Sequence, residues 1–339
     1  MPGSRVVLAL LALFSALVVG IVLAFLLAPG AFPPGSVTES GDAINQVYWV
    51  VLGLAAGVFF LVETALIVFI VRYRRRGPGT GHDVEGPQIH GNTRVEIVWT
   101  VVPAVLLVAL ASYTFARIPD VEAKPGAGEE PLVVDVTAHQ FYWQYEYPNG
   151  ALSFDALYLP VDRKVTLRLR SADVPHSWWV PELTGKRDAI PGQTNELHFT
   201  PRETGTFENG VCGEFCGIQH ARMTTTVQVL AASGFEAWLA RNAPDTVDPT
   251  ALGEAEWRAS CAKCHGLEGE GGIGPPIAGN PALTNVDSLR TLLYEGQNLD
   301  TNEGFMPPTG KRWTDAQIEA LVDYVGVNDT LSGGGGGGR

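Results

Sequence analysis

The chain has 339 residues, of which 46% are hydrophobic and 17% charged, and its formal net charge is −13. This composition is too apolar for a disordered chain and too mixed for a pure membrane bundle, and the length predicts two or three units. The acidic excess argues against a nucleic-acid-binding protein, because neutralising phosphates requires positive charge. Four cysteines are too few for a disulfide-stapled scaffold.

Three apolar stretches precede residue 117. The first, from Val6 to Ala28, follows Arg5 and indicates that residues 1–31 are a signal sequence or a leader helix that anchors the chain. The other two predict a membrane region over residues 46–117, with transmembrane helices at 48–71 and 97–116.

The charges that flank these spans predict their orientation. Arginines 72 and 74–76 follow the first span directly, so its C-terminal end is expected in the cytoplasm. The second span returns the chain to the outer side of the membrane, where all later residues are expected. Glu63 lies inside the first span, and a structural pairing and a proton-transfer role both remain open for it.

The outer part begins with alternating apolar and polar residues. Residues 132–137, 164–170 and 223–230 follow the period of half-buried strands, and turn clusters such as 148–150 separate them. About a hundred residues of short strands predict an all-β sandwich or barrel over 131–241.

Beyond a polar linker at 242–249, the strand pattern disappears. Residues 254–262 and 314–325 read as helices, and Thr314 with Gln317 forms the sequence pattern of a capping box. The chain therefore predicts an all-α domain over 250–330, followed by a flexible glycine-rich tail at 331–339.

A dense set of soft ligands lies between residues 212 and 223. Two cysteines, a histidine and a methionine within twelve residues suit copper, whereas a structural zinc site is expected to repeat Cys and His without Met. His176, which precedes two tryptophans, is the candidate anchor from another part of the chain. The alternative is a disulfide between Cys212 and Cys216. The four candidates of the loop are Cys212, Cys216, His220 and Met223.

The remaining two cysteines form a second motif. Cys261 and Cys264, followed by His265, match the attachment signature of c-type haem, in which both thiols bond the haem and the histidine is an axial ligand. Met306, 41 residues after His265, is the candidate sixth ligand. The alternative is a redox-active cysteine pair, but thioredoxin-like motifs lack the trailing histidine.

Several motifs together make residues 37–240 resemble subunit II of haem-copper cytochrome c oxidases. They are residues 95–103, 138–147, 152–155 and 186–192 and the loop 212–223. The resemblance implies the binuclear copper centre CuA, with both coppers bridged by Cys212 and Cys216. His176 and Met223 would complete one copper, and His220 with the backbone carbonyl of Glu214 the other.

The same resemblance implies roles for four further side chains. Glu214 would help hold a magnesium ion at the interface with subunit I. Glu96 would mark the entrance of a proton path, although an ordinary acid at a helix N-terminus is the simpler alternative. Phe141 and Trp143 belong to the electron-entry region, and Phe141 stands where the family usually has an exposed Trp.

Residues 251–330 resemble a class I cytochrome c, so the whole chain resembles the caa3-type subunit II with a fused cytochrome found in some bacterial oxidases. This implies electron transfer from a cytochrome donor through haem c and CuA to haem in subunit I, where oxygen is reduced and protons are pumped. The oxygen-reducing site would lie in that other chain, within a complex that also contains subunit III.

Two alternatives are a CuA-bearing subunit of a nitric oxide reductase-type complex and a membrane redox carrier that acts alone. The expected location is the bacterial inner membrane, which the chain crosses more than once, with both metal domains on the periplasmic side.

Overall fold

The computed structural model describes residues 33–73, 88, 90–297 and 306–332. The leader predicted at 1–31, the arginines at 74–76 and the tail from residue 333 lie outside the described residues. The described residues form two compact units: one comprises residues 33–34 and those described between 43 and 119, and the other comprises residues 35–42 and those described from 120 onward.

The first unit contains two long helices, α1 (Glu39–Tyr73) and α2 (Thr93–Glu122). Both are long and apolar enough to cross a membrane, with mean hydropathies of 2.6 and 2.2 over their most apolar windows. They include the predicted spans and extend beyond them at both ends. None of the side chains described in α2 is buried. Its apolar surface is thus free to contact lipid or another chain.

The second unit begins with residues 35–42, which include the first turn of α1. The carboxylate of Glu39 forms an ion pair with Lys164 at 2.5 Å and accepts a hydrogen bond from the backbone of Thr200 at 2.9 Å. These contacts fasten this short segment to the strands that follow.

Ten strands build a sandwich of two five-stranded sheets, in the orders β3-β2-β1-β5-β8 and β4-β10-β9-β6-β7. Parallel pairing of β1 with β5 and of β4 with β10 combines with antiparallel hairpins in each sheet. The strands are β1 (Leu132–His139), β2 (Tyr142–Glu146), β3 (Leu152–Phe154), β4 (Ala156–Pro160), β5 (Val165–Ser171), β6 (His176–Trp179), β7 (Arg187–Ala189), β8 (Asn195–Phe199), β9 (Gly205–Cys212) and β10 (Thr224–Leu230).

The period-2 pattern of the sequence builds the core of this sandwich. Along β1, alternate residues are buried from Leu132 onward, and they pack with Trp178 of the other sheet and with Val227 and Val229 of β10. Burial of such apolar side chains contributes roughly 1.5–3 kcal/mol each. The predicted all-β fold is confirmed.

After helix α3 (Ala232–Arg241), the chain forms a helical domain. Its core is a separate cluster that includes Trp257, Leu293, Trp313 and Leu321. The helix predicted at 254–262 is one part of a longer helical stretch, which starts at Pro249 and contains a π-helical turn. The elements are α4 (Pro249–Glu256), a π-helix (Trp257–Cys261), α5 (Ala262–His265), a 3-10 helix (Pro281–Thr284), α6 (Val286–Glu295) and α7 (Asp315–Val327). The predicted all-α domain is therefore confirmed.

Candidate functional site

The two ends of the loop between β9 and β10 are joined by a hydrogen bond. Cys212 ends β9, and its backbone N–H donates to the carbonyl of Met223 at 3.0 Å, just before β10 begins. Cys212 and Cys216 are both buried, and their sulfur atoms lie 3.9 Å apart. A disulfide requires about 2.05 Å, so the two cysteines are free thiols in this structure.

The other soft ligands surround this pair of sulfurs. The Nδ1 atom of His176 lies 3.8 Å from the Cys212 sulfur. The Nδ1 atom of His220 lies 3.7 Å and the sulfur of Met223 3.8 Å from the Cys216 sulfur. Donor atoms of His176, Cys212 and Cys216 all lie within 4.8 Å of one another, and all three residues are buried. Two thiols, two imidazoles and a thioether around one point fit the bridged copper pair that the sequence implies.

Strand pairing brings His176 to the loop. His176 opens β6, and Trp178 two residues later pairs with Cys212 of β9. The Nε2 atom of His176 forms a 2.8 Å hydrogen bond with the Asp173 carboxylate, which leaves Nδ1 to face the sulfurs. A carboxylate that orients a ligating histidine is a common feature of metal sites. Sequence reasoning missed Asp173, although a carboxylate three residues before the candidate ligand His176 could have indicated a group that orients the imidazole.

The pKa values of these groups follow from the same contacts. Burial alone would raise the pKa of Asp173, but hydrogen bonding and charge from His176 outweigh burial and lower it. Burial would lower the pKa of His176, yet its hydrogen bonds to Asp173 and Cys212 raise it. The pKa of Cys212 is lowered, and its hydrogen bond with Cys216 is the largest cause. Burial acts in the opposite direction, and the hydrogen bond with His176 lowers the pKa further. The site therefore favours a thiolate, the form that binds metal.

The backbone carbonyl and the side-chain carboxylate of Glu214 lie in different surroundings. Its backbone carbonyl lies 3.2 Å from the Cys212 sulfur, inside the ligand cluster. Its carboxylate is 45% exposed and forms an ion pair with Lys186 at 3.3 Å. The carbonyl thus lies beside the Cys212 sulfur, whereas the carboxylate is paired with Lys186.

The haem-attachment motif lies at the junction of the π-helix and α5. Cys261 and Cys264 are free thiols, and burial raises the pKa of Cys261 to about 12. The Nδ1 atom of His265 lies 2.8 Å from the carbonyl of Pro275, which fixes the ring. A Cβ on Gly274 would lie 2.6 Å from this ring, so glycine is required for the approach. Two free thiols and an oriented histidine fit a covalently attached haem.

Met306 and Glu96, the remaining ligand and proton candidates, lie apart from the copper loop in sequence. Met306 is held by two backbone hydrogen bonds to Gln297 and packs against the core cluster of the helical domain. Glu96 lies in the first turn of α2, where its carboxylate accepts a 2.9 Å hydrogen bond from the backbone of Asn92. That contact caps the helix and is compatible with both roles considered for Glu96.

The two aromatic candidates at the electron-entry region are buried. Phe141 is 6% exposed, and the loop packs against its ring: a Cβ on Gly217, whose φ is +133°, would lie 3.0 Å from it. Trp143 is fully buried, and its ring centre lies 6.1 Å from that of His176. In this structure Phe141 is therefore not an exposed port.

The helical domain contacts the sandwich next to the copper loop. Lys263, between the two haem-attachment cysteines, donates to the Phe141 carbonyl at 2.8 Å and forms a 2.5 Å ion pair with Asp155. Gln219, in the copper loop, donates to the Lys263 carbonyl at 3.1 Å. Sequence reasoning missed the roles of all three polar residues, because the motifs that contain them do not indicate a contact with the other domain.

Three family models match the chain. The model for the cytochrome c oxidase subunit II transmembrane domain matches residues 31–116, and that for the subunit II periplasmic domain matches residues 152–230. The model for subunit III of cbb3-type cytochrome c oxidase matches residues 248–325.

Individual relatives agree with these matches. Cytochrome c oxidase subunit 2 of Alkalihalophilus pseudofirmus is 32% identical over 83% of this chain and 87% of that protein. The subunit of the same name in Bacillus subtilis is 30% identical over 84% and 89%. The solved periplasmic domain of oxidase subunit II from Bradyrhizobium japonicum is 28% identical, covering 36% of this chain and 99% of that one, with a TM-score of 0.33.

The fold and the ligand set thus define an electron-transfer subunit with a membrane anchor, a copper-binding sandwich and a cytochrome domain. The chain belongs to the cytochrome c oxidase subunit II family, in a form that carries a C-terminal cytochrome c domain.

Proposed function

We propose that this chain delivers electrons, through haem c and CuA, to the haem-bearing subunit I of a membrane cytochrome c oxidase. The observation that carries the proposal is the convergence of two thiols, two imidazoles, a thioether and a carbonyl in one largely buried cluster beside a haem-attachment motif. Oxygen is reduced to water in the other chain, and proton pumping is coupled to that reaction.

The ligand assignments follow the family resemblance, and the distances support them by bringing the same groups together. Cys212 and Cys216 would hold both coppers, with His176 and Met223 as further ligands of one and His220 and the Glu214 carbonyl as further ligands of the other. When bound, the copper pair takes up and releases one electron that both metals share. The surrounding residues keep the ligands rigid: Asp173 holds His176, and the backbone bond from Cys212 to Met223 closes the loop.

In the helical domain, Cys261 and Cys264 would attach haem c, and His265 and Met306 would ligate its iron. Haem c, when attached, is a one-electron carrier. The Pro275 carbonyl orients the His265 ring, and Gly274 allows it to approach. The pairing of methionine with histidine raises the potential into the range of electron-transfer cytochromes.

The partners are assigned from exposed surfaces and charge. Subunit I is the partner at the copper loop, where Phe215 and Ile218 are 80% and 78% exposed and offer apolar contacts. The Glu214 carboxylate would contribute to a magnesium site there, and subunit III completes the complex. Residues 251–330 carry twelve acidic against five basic residues, so a basic cytochrome is the proposed donor.

The proposed topology has both spans in a bacterial inner membrane, with the sandwich and the cytochrome domain on the periplasmic side. Glu96 then lies at the cytoplasmic end of α2, where a proton path begins. Its substitution by Gln would lower proton uptake if this role is correct.

The function is tested on the complex purified through this chain. We expect near-infrared absorption from the copper pair, a haem c band, and the bands of further haems from a co-purifying subunit, together with turnover on oxygen. Turnover on nitric oxide but not oxygen would indicate a reductase-type complex, and absence of any haem-bearing partner would indicate a carrier that acts alone.

A further inference from the structure

One side chain links the two metal-binding segments. Gln219 directly precedes the copper ligand His220 and is 1% exposed. Its Nε2 atom lies 3.1 Å from the Lys263 carbonyl and 2.8 Å from the sulfur of Cys264, one of the two haem-attachment residues. The sulfur of an attached cysteine is a thioether, which remains a weak hydrogen-bond acceptor. A continuous route of bonds therefore runs from the Cys264 sulfur through the Gln219 side chain and one peptide unit to His220.

Contacts on either side of Gln219 hold the two segments in this position. Lys263 is fixed to the sandwich by the Asp155 carboxylate and the Phe141 carbonyl. Burial raises the pKa of Asp155, and the charge and hydrogen bond of Lys263 act in the opposite direction. Contacts between the sandwich and the helical domain thus determine the position of the Gln219 amide.

A second group of contacts extends this interface. The hydroxyl of Tyr142, in β2, accepts a hydrogen bond from the Trp313 indole at 2.7 Å and donates to the Thr309 carbonyl at 2.9 Å. Tyr142 is fully buried in the core cluster of the helical domain. The sandwich and the helical domain therefore share buried surface, which keeps Gln219 against Cys264.

We propose that Gln219 is the positioning residue through which electrons pass from haem c to CuA. This inference rests on the proposed function. One electron leaves the haem iron, which changes from ferrous to ferric, and enters the copper pair, which becomes fully reduced; no bond breaks and no proton moves. Electronic coupling is stronger through covalent and hydrogen bonds than across a gap, so the amide at position 219 raises the rate of this step.

The test compares Gln219→Leu with Gln193→Leu, the same change at an exposed loop position of the sandwich. After rapid photoreduction of haem c in the purified oxidase, we expect internal electron transfer to CuA to be several-fold slower in Gln219→Leu than in the control. Copper and haem spectra should be unchanged. Gln219→Asn keeps the amide on a shorter side chain and should give an intermediate rate of electron transfer. It replaces the leucine variant in this comparison if that variant does not fold.

Hydrogen exchange distinguishes a role of Gln219 in electron transfer from a role in holding the two domains together. Lys263→Met removes the ion pair with Asp155, and we expect faster exchange of backbone amides at 140–144 and 309–313. Gln219→Leu should leave exchange at these amides as in wild type while electron transfer slows. An unchanged rate, or slowing accompanied by the exchange increase of Lys263→Met, would overturn the inference. Absence of copper or haem signals from wild type would instead refute the proposed function, and this inference with it.

Discussion

At the scale of single residues, the copper cluster depends on groups that do not themselves bind metal. The Asp173 carboxylate accepts hydrogen bonds from His176 and from the backbone of Gln140, at 2.8 and 2.7 Å. It therefore fixes both a proposed ligand and the turn between β1 and β2 that carries Phe141. Such orienting groups determine which imidazole nitrogen faces the metal and how basic it is.

We expect Asp173→Asn to weaken copper binding by about 10- to 100-fold, the usual range for loss of such a partner. Copper titration of the apo protein, followed by near-infrared absorption, measures this change. Glu236→Gln, which neutralises an exposed carboxylate of α3, is the matched control and should bind copper as wild type does. Equal affinities in both variants would show that Asp173 has no orienting role.

Met306 allows a second prediction at this scale. In Met306→Ala the haem should remain attached, because Cys261 and Cys264 still hold it, but the sixth position opens and the potential falls. A redox titration of haem c and the methionine-to-iron charge-transfer band report the change. If the potential and the band are both retained, another residue is the sixth ligand.

At the scale of elements, the sequence predicted best where a local pattern determines the structure. The capping box is present as predicted: the Thr314 hydroxyl accepts from the Gln317 backbone at 3.3 Å, and the Gln317 side chain accepts from the Thr314 backbone at 3.0 Å. Alternation along β1 likewise indicated its buried face. The π-helical turn at Trp257–Cys261 was not predictable, because no local pattern distinguishes it from an α-helix.

The capping box gives a prediction on stability. Thr314→Ala should lower the free energy of unfolding of the cytochrome domain by about 1 kcal/mol, because an N–H at the start of α7 loses its acceptor. Thermal unfolding of the holoprotein, followed by the haem band, measures the loss. Thr291→Ala lies within α6, where alanine favours the helix, and should not destabilise the domain. Similar effects of the two changes would contradict a capping role.

At the scale of the whole molecule, the sequence predicted which domains are present but not how the sandwich and the cytochrome domain meet. Lys263 and Gln219 lie inside the two metal-binding motifs, which do not indicate their contacts with the other domain. Tyr142 lies in a strand of the sandwich although it packs in the other domain. Their roles follow from contacts between residues more than forty positions apart. The ligand loop, by contrast, could be predicted because its spacing is local and only His176 comes from elsewhere.

The same interface bears on the route of electrons into the oxidase. The linker Asn242–Pro249 contains two prolines and is semi-stiff, so the cytochrome domain is held near CuA at an effective concentration in the millimolar range, as estimated for short linkers. Phe141 packs in the core of the sandwich, and Lys263 of the cytochrome domain lies on its carbonyl. We therefore expect a soluble cytochrome to reduce haem c and not to dock at the position that the family uses as a port.

We expect deletion of residues 250–339 to abolish most oxidation of a soluble cytochrome c by the otherwise intact complex. The truncated sandwich exposes Tyr142, which packs in the core of the cytochrome domain, yet position 141 lacks the Trp through which a diffusing donor would act. A small artificial reductant, which needs no protein docking, is the control: it should still drive oxygen consumption, showing that CuA and subunit I remain assembled. If the truncated complex oxidises soluble cytochrome c at the full rate, CuA accepts diffusing donors directly, and the fused domain is an additional entry point instead of the obligatory one.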